Sequence, residues 1–145
     1  MRGVDQFGNV TPFATTPSAA HVALDDTWRG FQYGAGSGWV RKTSASRYMG
    51  TYTTTVTANA RVTGVTDTAR FVLIGDLCPT CTRIRIYVDG VLRKTVDPYR
   101  ATTMVRQVLY VSSDFGSIKS HRITIVSVPT PGRYRVSIDG LALQR

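Results

Sequence analysis

The 145-residue sequence contains no glutamate, and all nine of its acidic residues are aspartates. Hydrolysis of a glycosidic bond needs two carboxylates that face one cleft, one of them with a raised pKa. Several of the aspartates occur in predicted turns, and the serines beside His121 belong to no nucleophile-elbow motif. We therefore expect a chain without catalytic machinery of its own.

Long apolar runs are also absent. No stretch approaches the ~20 apolar residues of a transmembrane helix, and no segment has the apolar centre of a signal peptide. Met1 is followed at once by Arg2-Gly3-Val4-Asp5, which has the appearance of an artificial start in front of an internal segment. We expect a part of a longer secreted protein that does not insert into a membrane.

The sequence has only two cysteines, Cys78 and Cys81, in one C-x-x-C motif. A four-ligand zinc site is disfavoured because no second pair exists and both histidines are distant in sequence. A thioredoxin-like role needs the motif at the start of a helix, whereas here it separates two predicted strands. A local structural disulfide is predicted, with free thiols and a metal or redox role as the alternatives.

Positive charge is in excess, with a formal net charge of +9 and a pI near 10.2. Such a chain is attracted to anionic surfaces, and salt weakens the attraction. The basic residues are spaced singly and form no polybasic run. Charge alone does not identify the anion.

The sequence favours strands throughout, and no window shows a sustained helical period. Ile84 and Ile86 alternate with Arg83 and Arg85, which predicts a half-buried strand. Asp89-Gly90 follows as a two-residue hairpin turn, and 70–75 is an apolar run typical of a strand covered on both faces. About eight short strands predict an all-β sandwich of two sheets with one core.

Five short segments within 21–145 carry a family resemblance: Ile86-Tyr87-Val88-Asp89-Gly90, Thr95-Val96-Asp97-Pro98-Tyr99, Val108-Leu109-Tyr110, His121-Arg122-Ile123-Thr124-Ile125 and Val136-Ser137-Ile138-Asp139-Gly140-Leu141. Their sequences and order resemble those of the galactose-binding-like jelly rolls. The resemblance implies a jelly-roll β-sandwich of two antiparallel sheets, found as carbohydrate-binding modules of larger secreted bacterial proteins. It also implies a structural calcium, held by Asp25, Asp26 and Asp139.

The first 20 residues have a different character. Residues 5–12 resemble the last strand of a fibronectin type III or immunoglobulin-like module, and 13–20 form a proline-punctuated linker. We expect 1–20 to be a linker with the remnant of a preceding module, and 21–145 to be the sandwich.

Aromatic side chains are the first candidates for contact with a ligand, because a sugar ring stacks its C–H face on an exposed indole or phenol. Trp28, Phe31 and Tyr33 occur in a glycine-rich predicted loop, and Tyr99 occurs in a turn. The alternative is that such rings fill the core of a small sandwich, which we favour for Trp39.

The second candidates are Arg83, Arg85, Arg133 and Arg135, on the predicted outer faces of two strands. If those strands are neighbours, the guanidinium groups form a stripe suited to acidic glycans; otherwise they are a solvated outer face. Nucleic acid is disfavoured, because aromatic and basic residues are not interleaved.

Two functions remain open at this point. The first is a polysaccharide-binding or cell-surface glycan-binding module, extracellular and monomeric within a multidomain chain. The second is a structural or adhesive spacer without a sugar ligand.

Overall fold

A computed structural model of the chain describes residues 21–34 and 36–145. The predicted linker and module remnant at 1–20 lie outside the described residues. The predicted fold class is confirmed, because the described chain is an all-β jelly-roll sandwich of two antiparallel sheets. None of the described residues forms a helix that is long and apolar enough to cross a membrane.

The larger sheet has six strands, and the smaller sheet has five. The larger contains β1 (His21–Asp25), β3 (Val40–Thr43), β4 (Thr51–Thr55), β6 (Arg70–Leu77), β9 (Met104–Val111) and β11 (Val136–Gln144). The smaller contains β2 (Phe31–Tyr33), β5 (Arg61–Thr68), β7 (Ile84–Val88), β8 (Val91–Val96) and β10 (Lys119–Ser127). One turn of 3-10 helix spans Tyr48–Gly50.

Strand β11 is the centre of the larger sheet, with partners on both edges. One edge pairs with β6, while the other pairs first with β4 and then with β1. The register shifts between Ile138 and Gly140, which marks an irregularity of the β-bulge type at Asp139. Such irregularities often redirect a side chain, and this one lies where β1, β4 and β11 meet.

The core lies between the two sheets. Its fully buried large side chains come from the central strands of both sheets: Val62, Phe71, Leu73, Ile84, Ile86, Ile123, Ile125, Ile138, Leu141 and Leu143. The predicted alternation in β7 is confirmed, because Ile84 and Ile86 are buried while Arg85 is exposed. Strand β6 is buried on both faces, as predicted, because Val72 and Ile74 belong to a second small cluster.

Turn chemistry accounts for two of the connections. Asp89 and Gly90 have φ values of 53° and 81°, which confirms the predicted hairpin with its left-handed turn residues. The β-branched segment 48–62 favours one long strand or two with a bend, and the structure has the second arrangement, with β4 and β5 in opposite sheets. The chain turns between them at Asn59, whose φ of 58° is tolerated by asparagine.

Gly140 offers a test of the close pairing between β1 and β11. A Cβ at this position would lie 2.2 Å from the backbone oxygen of Leu24. We expect Gly140→Ala to lower the free energy of unfolding by about 1–3 kcal/mol, because the clash is with backbone and not with a flexible side chain. Urea unfolding measures the change, and an unchanged midpoint would contradict the pairing described here.

Candidate functional site

The aromatic residues from the early part of the chain pack into the sandwich. The prediction that Phe31 and Tyr33 lie in a loop is wrong, because both belong to strand β2. Phe31 is 8% exposed and meets Trp28 edge-on at 5.1 Å between ring centroids. Trp28, Tyr33 and Trp39 are partly buried against the same core, as predicted for Trp39. These rings stabilise the core and present little surface to a sugar.

Burial of Trp28 depends on glycine at two neighbouring positions. A Cβ at Gly30 would lie 2.0 Å from the indole ring, and a Cβ at Gly64 would lie 3.0 Å from it. The ring therefore occupies space that any other residue at these positions would take.

The four arginines do not form one stripe. Strands β7 and β11 belong to opposite sheets, and Arg133 and Arg135 precede β11. Arg85 is exposed on the smaller sheet, whereas Arg135 donates from Nη1 to the Thr54 hydroxyl at 3.3 Å. Arg133 lowers the pKa of Asp97 by its hydrogen bond, and the charge of Arg83 lowers it as well, so these two arginines lie near one carboxylate although β7 and β11 are not neighbouring strands.

Arg133 instead forms a surface cluster with two tyrosines. Its Nη1 and Nη2 donate to the carboxylate of Asp97 at 2.5 Å and 3.3 Å, and its guanidinium carbon lies 5.4 Å from the ring centroid of Tyr99. Tyr99 is 53% exposed, and Tyr134 is 51% exposed. We call Tyr99, Arg133 and Tyr134 the tyrosine surface. The hydrogen bond from Arg133 lowers the pKa of Asp97, so the pair is ionised at neutral pH.

Tyr134 was not among the predicted ligand residues. The alternation of Tyr134, Val136 and Ile138 predicted that this ring faces the core. The strand begins only at Val136, because the chain turns at Thr130–Arg133 through an isolated bridge. The Pro131-Gly132 dipeptide just before Tyr134 was the available signal of that turn.

A groove of about 470 Å³ lies beside the tyrosine surface. Its walls are mainly apolar and come from the end of β4 and from the connection between β10 and β11. The apolar side chains that line it are Val56, Ala58, Val128, Pro129, Pro131 and the ring of Tyr134. Arg133 also lines it, so the groove and the tyrosine surface are continuous.

The predicted disulfide is present, and its loop, residues 78–81, joins the two segments that carry the tyrosines. The Thr80 carbonyl accepts hydrogen bonds from the amides of Tyr134 and Arg135, both at 2.9 Å. On the other side of the loop, the Cys78 amide donates to the Pro98 carbonyl, and the Arg100 amide donates to the Cys78 carbonyl. The disulfide loop therefore fixes the tyrosine surface through backbone hydrogen bonds.

The three aspartates predicted as metal ligands lie together. Asp25, Asp26 and Asp139 each offer an oxygen, and these oxygens all lie within 4.8 Å of one another. We call this group the aspartate cluster. Asp26 and Asp139 are fully buried. The cluster occupies the junction of β1, β4 and β11, with Asp139 at the bulge.

The polar surroundings of the aspartate cluster orient its carboxylates. Asp26 accepts hydrogen bonds from the hydroxyls of Thr51 and Thr53, each at 2.6 Å. Burial raises the pKa of Asp26, and the neighbouring Asp25 carboxylate raises it further. The Oδ1 atom of Asp25 is buried and has no hydrogen-bond partner among the described residues. Clustered carboxylate oxygens of this kind suit a hard cation.

Comparisons with known proteins show the fold. No family model and no curated protein matches the sequence. Among solved structures, a family two carbohydrate esterase from Cellvibrio japonicus is 12% identical, with a TM-score of 0.62 over 87% of this chain and 34% of that chain. A two-domain esterase active on acetylated mannans, co-crystallised with mannopentaose, is 12% identical, with a TM-score of 0.67 over 86% of this chain and 37% of that one.

A third match has about the same length as the described sandwich. It is the CBM36-1 domain of a multidomain xylanase from the hindgut metagenome of Trinervitermes trinervoides, 13% identical, with a TM-score of 0.52 over 86% of this chain and 96% of that domain. By contrast, the chain spans only about a third of the length of each of the two esterases. These comparisons define the fold class, a β-sandwich that is also found in two esterases and in a domain of a xylanase.

The role assigned to the disulfide loop leads to a prediction. We expect the double variant Cys78→Ser, Cys81→Ser to lower the free energy of unfolding by about 2 kcal/mol, because the closed loop is short. Hydrogen exchange at the Tyr134 and Arg135 amides should become faster, while the amides of β10 keep their protection as an internal control. Unchanged exchange at Tyr134 and Arg135 would contradict the role of the loop.

Proposed function

We propose that the chain is a non-catalytic carbohydrate-binding module of a larger extracellular bacterial protein, and that it binds glycan at the tyrosine surface. The observation that carries the proposal is the half-exposed ring of Tyr134 on an open groove, together with the half-exposed ring of Tyr99 against Arg133, which also lines that groove. A phenol ring provides a flat apolar face for a sugar, and its hydroxyl remains at the edge for hydrogen bonding.

The matched structures support this class of ligand. The domain with nearly full coverage belongs to a xylanase, and the matched esterases include one active on acetylated mannans. The disulfide supports an extracellular location, since such bonds persist in oxidising compartments. Asp26 and Asp139 of the aspartate cluster are fully buried, so these two carboxylates do not face a cleft in which a substrate would react.

The proposal does not include a preference for acidic glycans. Arg133 already pairs with Asp97 through both terminal nitrogens, which neutralises the cation at the groove. The remaining positive charge of the chain is distributed, and it supplies a general attraction to anions that salt weakens. Glycan binding that depends on stacking against Tyr99 and Tyr134 should therefore persist at high salt.

We also propose that the aspartate cluster holds calcium. Oxygens from Asp25, Asp26 and Asp139 would be its carboxylate ligands, and the unpartnered buried Oδ1 of Asp25 supports the assignment. An ion there would offset the repulsion among three carboxylates and tie β1 to β11. It would act on stability and not on sugar contact.

A structural or adhesive spacer is the second candidate. The packing of Trp28, Phe31 and Tyr33 against the core favours it, because these rings were the first candidates for stacking. The two candidates differ at the tyrosine surface, which a spacer does not require.

The tyrosine surface is tested by single substitutions. We expect Tyr99→Ala and Tyr134→Ala each to weaken glycan binding about tenfold, because each removes one stacking face. Calorimetric titration with a panel of neutral and acidic oligosaccharides, at physiological and high salt, measures the effect. Tyr87→Ala, on the smaller sheet and away from the groove, is the control. Binding that is unaffected by both substitutions would remove the tyrosine surface from the proposal, and absence of binding to the whole panel would favour the spacer.

The calcium site is tested by thermal unfolding with calcium and with chelator. We expect saturating calcium to raise Tm by about 5 °C, because the folded chain alone presents the assembled oxygens. Asp25→Asn should abolish this response and leave the chelated protein at least as stable as wild type, because one of three repelling charges is removed. Asp67→Asn, at an exposed position on β5, should keep the response. A wild-type Tm that is independent of calcium would contradict the proposed site.

A further inference from the structure

The groove beside the tyrosine surface is poor in hydrogen-bond donors. Pro129 and Pro131 have no backbone N–H, and Val56 and Val128 present only hydrocarbon side chains. Sugars in binding sites usually exchange hydrogen bonds with several polar groups through their hydroxyls. The walls of this groove offer few such groups.

The serine and threonine hydroxyls that line the groove already bond to the protein. Thr82 donates to the Val128 carbonyl and contacts the Thr130 hydroxyl, which also bonds to Val128 at 3.1 Å. Ser127 donates to the Thr57 carbonyl at 3.0 Å and accepts from the Ala60 amide at 2.8 Å. A ligand would have to break these bonds in order to use the hydroxyls as donors.

The one charged side chain that lines the groove is already paired with a carboxylate. This side chain is Arg133, which donates a hydrogen bond from each of its terminal nitrogens to the Asp97 carboxylate. A carboxylate or sulfate on a ligand would have to displace Asp97 from a two-point ion pair. An uncharged group with a large hydrocarbon part meets no such cost.

From these features we infer that the groove recognises O-acyl groups, such as O-acetyl, on a neutral polysaccharide. The inference rests on the proposed glycan binding and specifies its substrate class. The acyl methyl would contact the valine and proline walls, and the exposed phenol of Tyr134 supplies a donor for the ester carbonyl at the edge of the groove. A volume of about 470 Å³ has room for a substituted sugar ring and not only for the acyl group.

The test compares acetylated manno-oligosaccharides and xylo-oligosaccharides with the same compounds after alkaline deacetylation. Titration calorimetry measures each affinity for the wild type, for Val56→Asn and for Val91→Asn. Val56 lines the groove and is 50% exposed, whereas Val91 lies on β8 and is 54% exposed, so the two changes are matched in chemistry and exposure. We expect the wild type to bind the acetylated compounds about fivefold more tightly or better, from burial of the methyl group.

The variants separate the groove from the rest of the surface. Val56→Asn should remove the preference for acetylated compounds while weak binding to the deacetylated ones remains, and Val91→Asn should keep the preference. Equal wild-type affinity for both forms would overturn the inference and leave the proposed glycan binding intact. A preference that Val56→Asn does not change would also overturn it, by assigning recognition to another surface.

Two other results would overturn the inference in a different way. If the wild type binds neither the acetylated nor the deacetylated oligosaccharides, and also none of the wider glycan panel, the proposed function is contradicted as well. A concentration-dependent dimer in sedimentation velocity that Val56→Asn dissociates would assign the groove to a second copy of the chain.

Discussion

The pairing of strand β11 along both of its edges is the constraint on which the rest of the structure depends. β11 is buried between β6 on one side and β4 and β1 on the other, and its side chains contribute to the core. The bulge within it places Asp139 next to Asp25 and Asp26. The segment just before it carries Arg133 and Tyr134 to the surface. One strand thus positions both the aspartate cluster and the tyrosine surface.

The two sites that β11 positions have different chemistry because their neighbours differ. At the aspartate cluster, carboxylates and threonine hydroxyls create a largely buried polar site, and clustered oxygens of this kind suit a hard cation. At the tyrosine surface, the disulfide loop holds two connections side by side through backbone hydrogen bonds. The first arrangement serves stability, and the second presents rigid aromatic faces with little conformational freedom to lose on binding.

Sequence reasoning succeeded where the pattern is local and failed where it depends on which sheet a strand joins. The Asp89-Gly90 turn and the alternation in β7 follow from φ preferences and side-chain period, and both are found in the structure. The aspartate cluster followed from family resemblance. Arg83 and Arg133 could not be placed relative to each other, because alternation gives the face of a strand but not its neighbours. Phe31 was misplaced because glycines around it indicated a loop, whereas they make room for packed rings.

The most direct test of the account is to locate bound sugar on the chain. Amide chemical shifts, followed during titration with an oligosaccharide that binds, would show which residues contact it. The account predicts that the perturbed amides cluster at 97–100 and 128–135, on the two connections held by the disulfide loop. Perturbations centred on 28–33, with the tyrosine surface unchanged, would contradict it.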